Sequence, residues 1–321
     1  MKESLKMLLS ICIPTYNRAE YLQKTIESIV TQSAWNTGNT EIVISDNAST
    51  DSTSAVIAGY EKRYPGLIRS IRQDPAIDPH DNFEAAMRLG HGEYLKLNND
   101  TLLWSANALA EYLQILRPGG ALVLTPNSRI APAYAIQKTI QCQDMSEMLN
   151  MCSYFLTWIG ILCVRRDVFE KLSSPSRYRN RLLTQTDMIL RLAAAGEKVI
   201  VDGRLFFESV TIPRRAAYQV AEIFCRNYFG LLSEYSGREL SSAAFELEKK
   251  RMLGEYLIYR HFDFYGEFNS VPQKNYWRNT QVYHRDWYFY ASFIKVAALW
   301  TVSRFFSREM LHRIKQLLKR W

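Results

Sequence analysis

Apolar runs of strand length and apolar stripes of helical spacing alternate along the chain as far as about residue 125. Leu8–Ile13 (LLSICI) reads as a buried strand stopped by Pro14, and Leu22, Ile26, Ile29 and Val30 then fall on one helical stripe. Glu41–Ser45 predicts a second strand, after which Ser49, Thr50 and Asp51 offer caps to a helix carrying Val56, Ile57 and Tyr60. Leu67–Arg72 predicts a third strand, Asn82–Leu89 a helix closed by Gly90, and Glu93–Leu97 a fourth strand. Leu109, Leu113 and Leu116 mark the next helix, and Ala121–Thr125 a fifth strand. Strands separated by helices of this length imply an α/β fold built from parallel units, with both sheet faces covered.

The pattern loosens over 126–215, where a strand is expected at Gly160–Val164, a helix at Asp187–Ala194 and a strand at Lys198–Val201. Beyond Ala216 it changes to helical stretches rich in Tyr, Phe, Trp and Arg. Two regions are therefore expected, 1–215 and 216–321.

Ligands of open parallel sheets bind where the strands end at their carboxyl edge. Three polar clusters fall there: Pro14-Thr15-Tyr16-Asn17-Arg18, Ser45-Asp46-Asn47-Ala48-Ser49-Thr50-Asp51, and Asn98-Asn99-Asp100. Each alone is an ordinary turn or helix cap. Three on one edge point to a site.

These clusters, with the run from Asn82 through Gly92-Glu93-Tyr94 to Asn98-Asn99-Asp100, resemble the family 2, GT-A fold, inverting glycosyltransferases in order and spacing over roughly the first hundred residues. The narrower likeness is to bacterial enzymes that add sugars to O-antigen or other surface polysaccharides, such as abequosyltransferases. The resemblance implies a Rossmann-like nucleotide-sugar domain. It assigns Pro14, Tyr16 and Asp46 to the base and ribose, and places Thr15, Asn17, Asn47, Asn98 and Asn99 around the donor. Arg18 is either a helix-start charge or a diphosphate contact. Asp100 stands where the family's D-x-D signature holds Mg2+ or Mn2+, a cation that needs few protein carboxylates when phosphate oxygens complete its shell. The signature's first acid is here Asn98, which keeps a hydrogen-bonding group for a ribose hydroxyl, and Asn98→Asp is expected to be tolerated.

An inverting transfer needs a general base at the acceptor hydroxyl. The family takes it from an E-D-x-D-x-x-x-R-like helix start, matched here by Thr184-Gln185-Thr186-Asp187-Met188-Ile189-Leu190-Arg191. Thr184 and Gln185 replace two acids, so Asp187 is the expected base, with Asp167 or Asp202 as substitutes. No Q-x-x-R-W signature of processive synthases occurs. The resemblance implies transfer of one sugar from a nucleotide donor, UDP- or dTDP-linked by preference, to a lipid-linked saccharide. A catalytically inactive scaffold and a nucleotidyltransferase remain alternatives. The latter would want a Gly-rich triphosphate loop near the first strand, which is missing.

Composition bounds the setting. The chain is 47% hydrophobic and 22% charged, enough apolar material for a sizeable core. Its five cysteines form no C-x-x-C pair and read as reduced thiols. No small-residue cleavage site follows the first apolar run, so a cytoplasmic protein is expected. Most of the net charge of +8 lies at the end: from Arg285 onward eight basic residues face only Asp286 and Glu309. Met310, Leu311, Ile314, Leu317, Leu318 and Trp321 form an apolar stripe among those charges. A basic amphipathic helix of this kind suits an anionic membrane surface, peripheral on the cytoplasmic face. Packing on another subunit, in a homo-oligomer, is the competing reading. Long aliphatic stripes argue against nucleic acid. Arg214-Arg215 reads as a solvated pair or a phosphate contact.

Overall fold

The computed structural model describes residues 7–127, 139–174, 182–210, 219–257 and 275–294. Contacts divide the chain into two units, Met1–Arg214 with Glu234–Ala244, and Arg215–Ser233 with Phe245–Trp321. The chain thus passes into the second unit at Arg215 and returns briefly to the first over Glu234–Ala244. There the Ser241 N–H donates to Ser146 Oγ at 2.9 Å.

In the first unit β1 (Leu9–Thr15), α1 (Ala19–Val30), β2 (Thr40–Asp46), α2 (Thr53–Arg63), β3 (Ile68–Arg72), α3 (Pro79–Arg88) and β4 (Tyr94–Leu97) alternate as the pattern predicts. They are followed by β5 (Leu102–Trp104), α4 (Ala108–Leu116), β6 (Leu122–Leu124), β7 (Thr139–Gln141), α5 (Met145–Cys152), β8 (Leu162–Arg165) and α6 (Arg166–Glu170). Then come α7 (Thr184–Ala194), β9 (Val199–Asp202) and β10 (Phe207–Ser209). Eight strands form one sheet in the order β3-β2-β1-β4-β8-β6-β9-β7, and β5 pairs with β10 in a separate two-stranded ladder.

The sheet is mixed. β8 runs antiparallel to both β4 and β6, and β7 antiparallel to β9, while the other neighbouring pairs are parallel. The carboxyl ends of β3, β2, β1, β4, β6 and β9 therefore share one edge. The expectation of parallel units holds for β1 to β4. The antiparallel β8, of four residues, is too short for its direction to show in sequence.

Pro14 does not stop the first strand; it lies inside β1, opposite Ser45. The Leu8 and Cys12 carbonyls accept from the Tyr94 and Asn98 N–H groups of the β4 side. Pro14 has the same parity, and β4 has already ended at Leu97. Its missing N–H consequently faces no strand and breaks no ladder bond.

Helix stripes fall where expected. Leu22, Ile26 and Ile29 of α1 and Leu109, Tyr112 and Leu116 of α4 are fully buried in one core with Ile11, Ile13, Ile42 and Ile44 of the sheet. α3 starts three residues earlier than read, because Pro79 suits the first helical position and Asp78 caps it, accepting from the His80 N–H at 2.8 Å. Between α3 and β4 the chain crosses β1 closely. A Cβ on Gly92 would sit 2.6 Å from Ser10 N, and the Gly92 N–H donates to Ser10 Oγ at 2.8 Å.

The described part of the second unit is helical around buried aromatics. Tyr283 stacks on Phe289 with ring centroids 5.4 Å apart, and its hydroxyl donates to the Lys249 carbonyl at 3.1 Å. Tyr228 donates to Glu248 at 3.0 Å, and Lys249 pairs with Asp286 at 2.7 Å. All five cysteines are buried free thiols. Among the described residues no helix is long and apolar enough to cross a membrane. Arg214-Arg215 and the stripe at 304–321 lie outside the described residues.

Candidate functional site

Parallel register sets the site. Thr15 pairs with Asp46, and Asp46 with Arg72, so the last residues of β1, β2 and β3 form one row at the carboxyl edge. Beyond the end of β4 the chain turns back toward this row. Thr15 Oγ1 donates to Asp100 Oδ2 at 2.9 Å, and Thr25 Oγ1 from α1 donates to the Asp100 carbonyl at 2.9 Å. Both ends of Asp100 are thereby fixed. Burial pushes its carboxyl up to about 6, against the opposing pull of the Thr15 hydroxyl and the Arg18 charge.

The loops after β1 and β2 are stitched together. Asn17 adopts φ 51° and accepts through Oδ1 from the N–H groups of Thr50 (2.7 Å) and Asp51 (3.3 Å), while its own N–H donates to Ser49 Oγ at 2.9 Å. The Arg18 N–H donates to Thr53 Oγ1 at 3.2 Å, and its guanidinium lies 5.6 Å from the Tyr21 ring centre. Tyr16, the residue after β1, is 53% exposed, leaving a ring face at the edge. Asp46 is buried: Oδ1 accepts from the Ser49 N–H at 3.0 Å, and Oδ2 from Ser54 Oγ at 3.0 Å and Arg72 Nη1 at 2.8 Å.

Two of the expected donor contacts face inward instead. Asn47 donates to the Ile77 carbonyl at 2.9 Å and accepts from the Ile77 N–H at 2.8 Å, closing the loop after β3. Asn98 is fully buried. Its Nδ2 donates to the carbonyls of Asn99 (2.9 Å) and Leu102 (3.3 Å), and its Oδ1 accepts from Trp104 Nε1 at 3.1 Å. An amide serves there because both its donor and its acceptor are engaged by the turn, so the ribose contact expected of Asn98 is replaced by a structural one. The Asn99 side-chain oxygen, by contrast, is buried with no hydrogen-bond partner.

Asp187 sits in the first turn of α7, buried, with Arg191 Nη1 3.5 Å from its carboxylate. Gln185 Nε2 and Thr186 Oγ1 donate to the carbonyls of Thr157 (2.6 Å) and Leu156 (2.9 Å). Thr184 Oγ1 and Gln185 Oε1 are buried and unpartnered. The same segment continues to Gly160, whose carbonyl accepts from Lys96 Nζ on β4; Lys96 also donates to the Leu97 carbonyl at 3.0 Å. α7 is thus tied to the chain bordering the end of β4. The substitute acids are engaged elsewhere: Asp167 pairs with Arg165 at 2.6 Å and Asp202 with Arg204 at 2.8 Å.

Sequence reasoning missed Arg72, Thr25 and Lys96. Arg72 closes an amphipathic strand and reads as a solvated charge; only its register opposite Asp46 reveals it. Lys96 interrupts an apolar run, a signal that a buried ammonium needs carbonyl partners.

Among the described residues no cluster of three His, Cys, Asp or Glu side chains forms a metal cage. The donor set does fit a cation that arrives on a diphosphate. Asp100 presents a fixed carboxylate, and the neighbouring Asn99 carries an unpartnered hard oxygen.

Residues 10–139 match glycosyl transferase family 2. Abequosyltransferase RfbV of Salmonella typhimurium is 44% identical over 88 residues, covering 27% of this chain and 26% of its own length. The GalNAc(5)-diNAcBac-PP-undecaprenol beta-1,3-glucosyltransferase of Campylobacter jejuni is 29% identical over 115 residues, 36% of each chain. The chain thus matches well under two thirds of either relative. Among solved structures, a mannosyltransferase from Pyrobaculum calidifontis in complex with GDP-Man and Mn2+ superimposes with a TM-score of 0.56 at 14% identity, covering 92% of this chain and 87% of its own. That likeness is one of fold.

Proposed function

We propose, from the match of residues 10–139 to glycosyl transferase family 2, that the chain transfers a single sugar, with inversion, from a nucleotide-sugar donor to a hydroxyl of a lipid-linked saccharide in bacterial surface polysaccharide synthesis. The observation that carries the reading is the row Thr15–Asp46–Arg72 with Asp100 pinned to its first member. The name of the Campylobacter relative, a glucosyltransferase with a PP-undecaprenol-linked saccharide in it, supports the acceptor class.

On this reading Asp46 and Arg72 read the base. A pyrimidine imide offers an N–H flanked by carbonyls, which suits a carboxylate beside a guanidinium and favours UDP- or dTDP-sugars. Tyr16 covers the base with its exposed ring. Pro14 and the Asn17 stitch hold the loop that carries both Tyr16 and Arg18, and Arg18 faces the diphosphate. Asp100, with Asn99 beside it, would hold Mg2+ or Mn2+, which would supply charge compensation for the departing diphosphate. Asp187, paired with Arg191, takes the acceptor proton. The enzyme works on the cytoplasmic face of the membrane, where its basic end meets anionic lipid.

Isothermal titration with UDP and Mn2+, combined with an assay of sugar release and transfer, tests this. Asp100→Asn should lose metal-dependent binding; Asp187→Asn should bind donor normally and lose transfer. Normal turnover in Asp187→Asn moves the base elsewhere. The ion pair that holds Asp187 also fits a second reading, a donor-binding scaffold without turnover. Wild-type protein that binds UDP yet never hydrolyses or transfers a donor sugar would establish it.

A further inference from the structure

The helix at 287–294 is apolar on two faces. Its inner face carries Phe289, fully buried between Tyr283 and Phe293. Its outer face carries Trp287, Tyr290, Ala291 and Ile294, spaced at i, i+3, i+4 and i+7, all exposed. Trp287 is 79% exposed and Ile294 73%. Trp277, 56% exposed, lies with its ring centre 6.3 Å from that of Tyr290, which extends the stripe sideways into a patch. A stripe of this kind on the outside of a packed unit is unusual for a surface that meets only water.

The sequence that carries it is basic. Arg278 and Arg285 are exposed beside it, whereas the acidic Asp286 is drawn to Lys249 at 2.7 Å. The 27 residues that follow, 295–321, hold seven Lys and Arg against Glu309 alone. The patch itself is made of tryptophan and tyrosine with one aliphatic residue, side chains that combine an apolar body with a polar tip.

From this combination we infer that the Trp287–Tyr290–Ile294 face is a membrane-docking surface that lies flat in the headgroup region of an anionic bilayer. Aromatic residues seek that depth, and each basic residue near it gains from the negative surface potential. A partner protein of matching shape would not require the basic rim. The inference refines the proposed action on a lipid-linked acceptor, resting on that reading for its purpose but not for its measurement.

The test is co-sedimentation of the full chain with phosphatidylcholine vesicles, with and without phosphatidylglycerol, beside Trp287→Ser/Ile294→Ser. Both side chains are exposed, so the variant should keep its thermal midpoint and its UDP–Mn2+ titration. Wild-type protein is expected to pellet with the anionic vesicles and to be released by salt. The variant should partition roughly tenfold or more weakly. Equal pelleting of the two proteins, or equal binding to neutral and anionic vesicles, overturns the inference. So does an oligomer, seen by sedimentation velocity, that the variant breaks, since the face would then belong to a second copy. Loss of UDP binding in both proteins would count against the transferase reading and leave the vesicle result standing.

Discussion

Arg72 Nη1 donates to Asp46 Oδ2 at 2.8 Å, directly across the register of β3 and β2. The guanidinium is half exposed and the carboxylate almost wholly buried, so the arginine is the partner that reaches outward. Arg72→Ala should therefore weaken UDP binding by about 10- to 100-fold, the loss typical of a hydrogen bond to a charged group. The combination with Asp46→Asn should cost little more than the worse single change, because the two act as one unit. Titration calorimetry decides; unchanged affinity in Arg72→Ala would remove it from the site.

Asn98→Asp separates a donor contact from a turn. A carboxylate there would set an oxygen against the carbonyls of Asn99 and Leu102, where Nδ2 now donates. The variant should lose roughly 1–3 kcal/mol of stability, read as a lower urea midpoint with unchanged slope. Thr15→Val, by comparison, should retain metal-dependent UDP binding in weakened form, since it frees the Asp100 carboxylate without removing it.

Lys96 should give stability an alkaline rise. It is fully buried, and burial pulls its ammonium down to about 7 from an ordinary 10.5. Between those values the unfolded chain holds a proton that the folded chain has released, so stability increases with pH. Below about 7 both states are protonated and the penalty is complete. Lys96→Met should flatten the rise between pH 7 and 10.5, measured by denaturant midpoints across that range. A rise that persists in the variant would assign it to another group.

Gly92→Ala should be costly for its size. The added carbon would meet backbone, Ser10 N at 2.6 Å and the Leu9 carbonyl carbon at 2.8 Å, which no side-chain rotation relieves. A loss of about 1–3 kcal/mol is expected, as for an overpacked core. A thermal midpoint equal to wild type would show that β1 and β4 yield more easily than their ladder suggests.

Much of the first unit was legible because its strands are long and its helix stripes strict. Ile11, Ile13, Ile42 and Ile44 mark buried strands, and Leu22, Ile26 and Ile29 a helix, whatever the neighbours are. β5 and β10, of three residues each, are too short for periodicity and exist by pairing with each other across a hundred residues. Within the site, the family's motif located the loops but not the direction of each side chain. Asn98 and Asn47 look like donor contacts in sequence and turn inward because the loops after β4 and β3 need an amide with both ends engaged. Arg72 looks like a solvated strand end and faces the edge because the register puts it opposite Asp46.

The reversed direction of β8 gives β4 a parallel neighbour on one side and an antiparallel one on the other. Because it runs against β4, with Lys96 opposite Cys163, the chain re-enters the sheet from the edge where β1 to β4 end. The segment from Asn98 to Ile161, which itself contributes β6 and β7 to the sheet, therefore leaves and returns at the same edge, so a change in its length need not shift the register of β1 to β4.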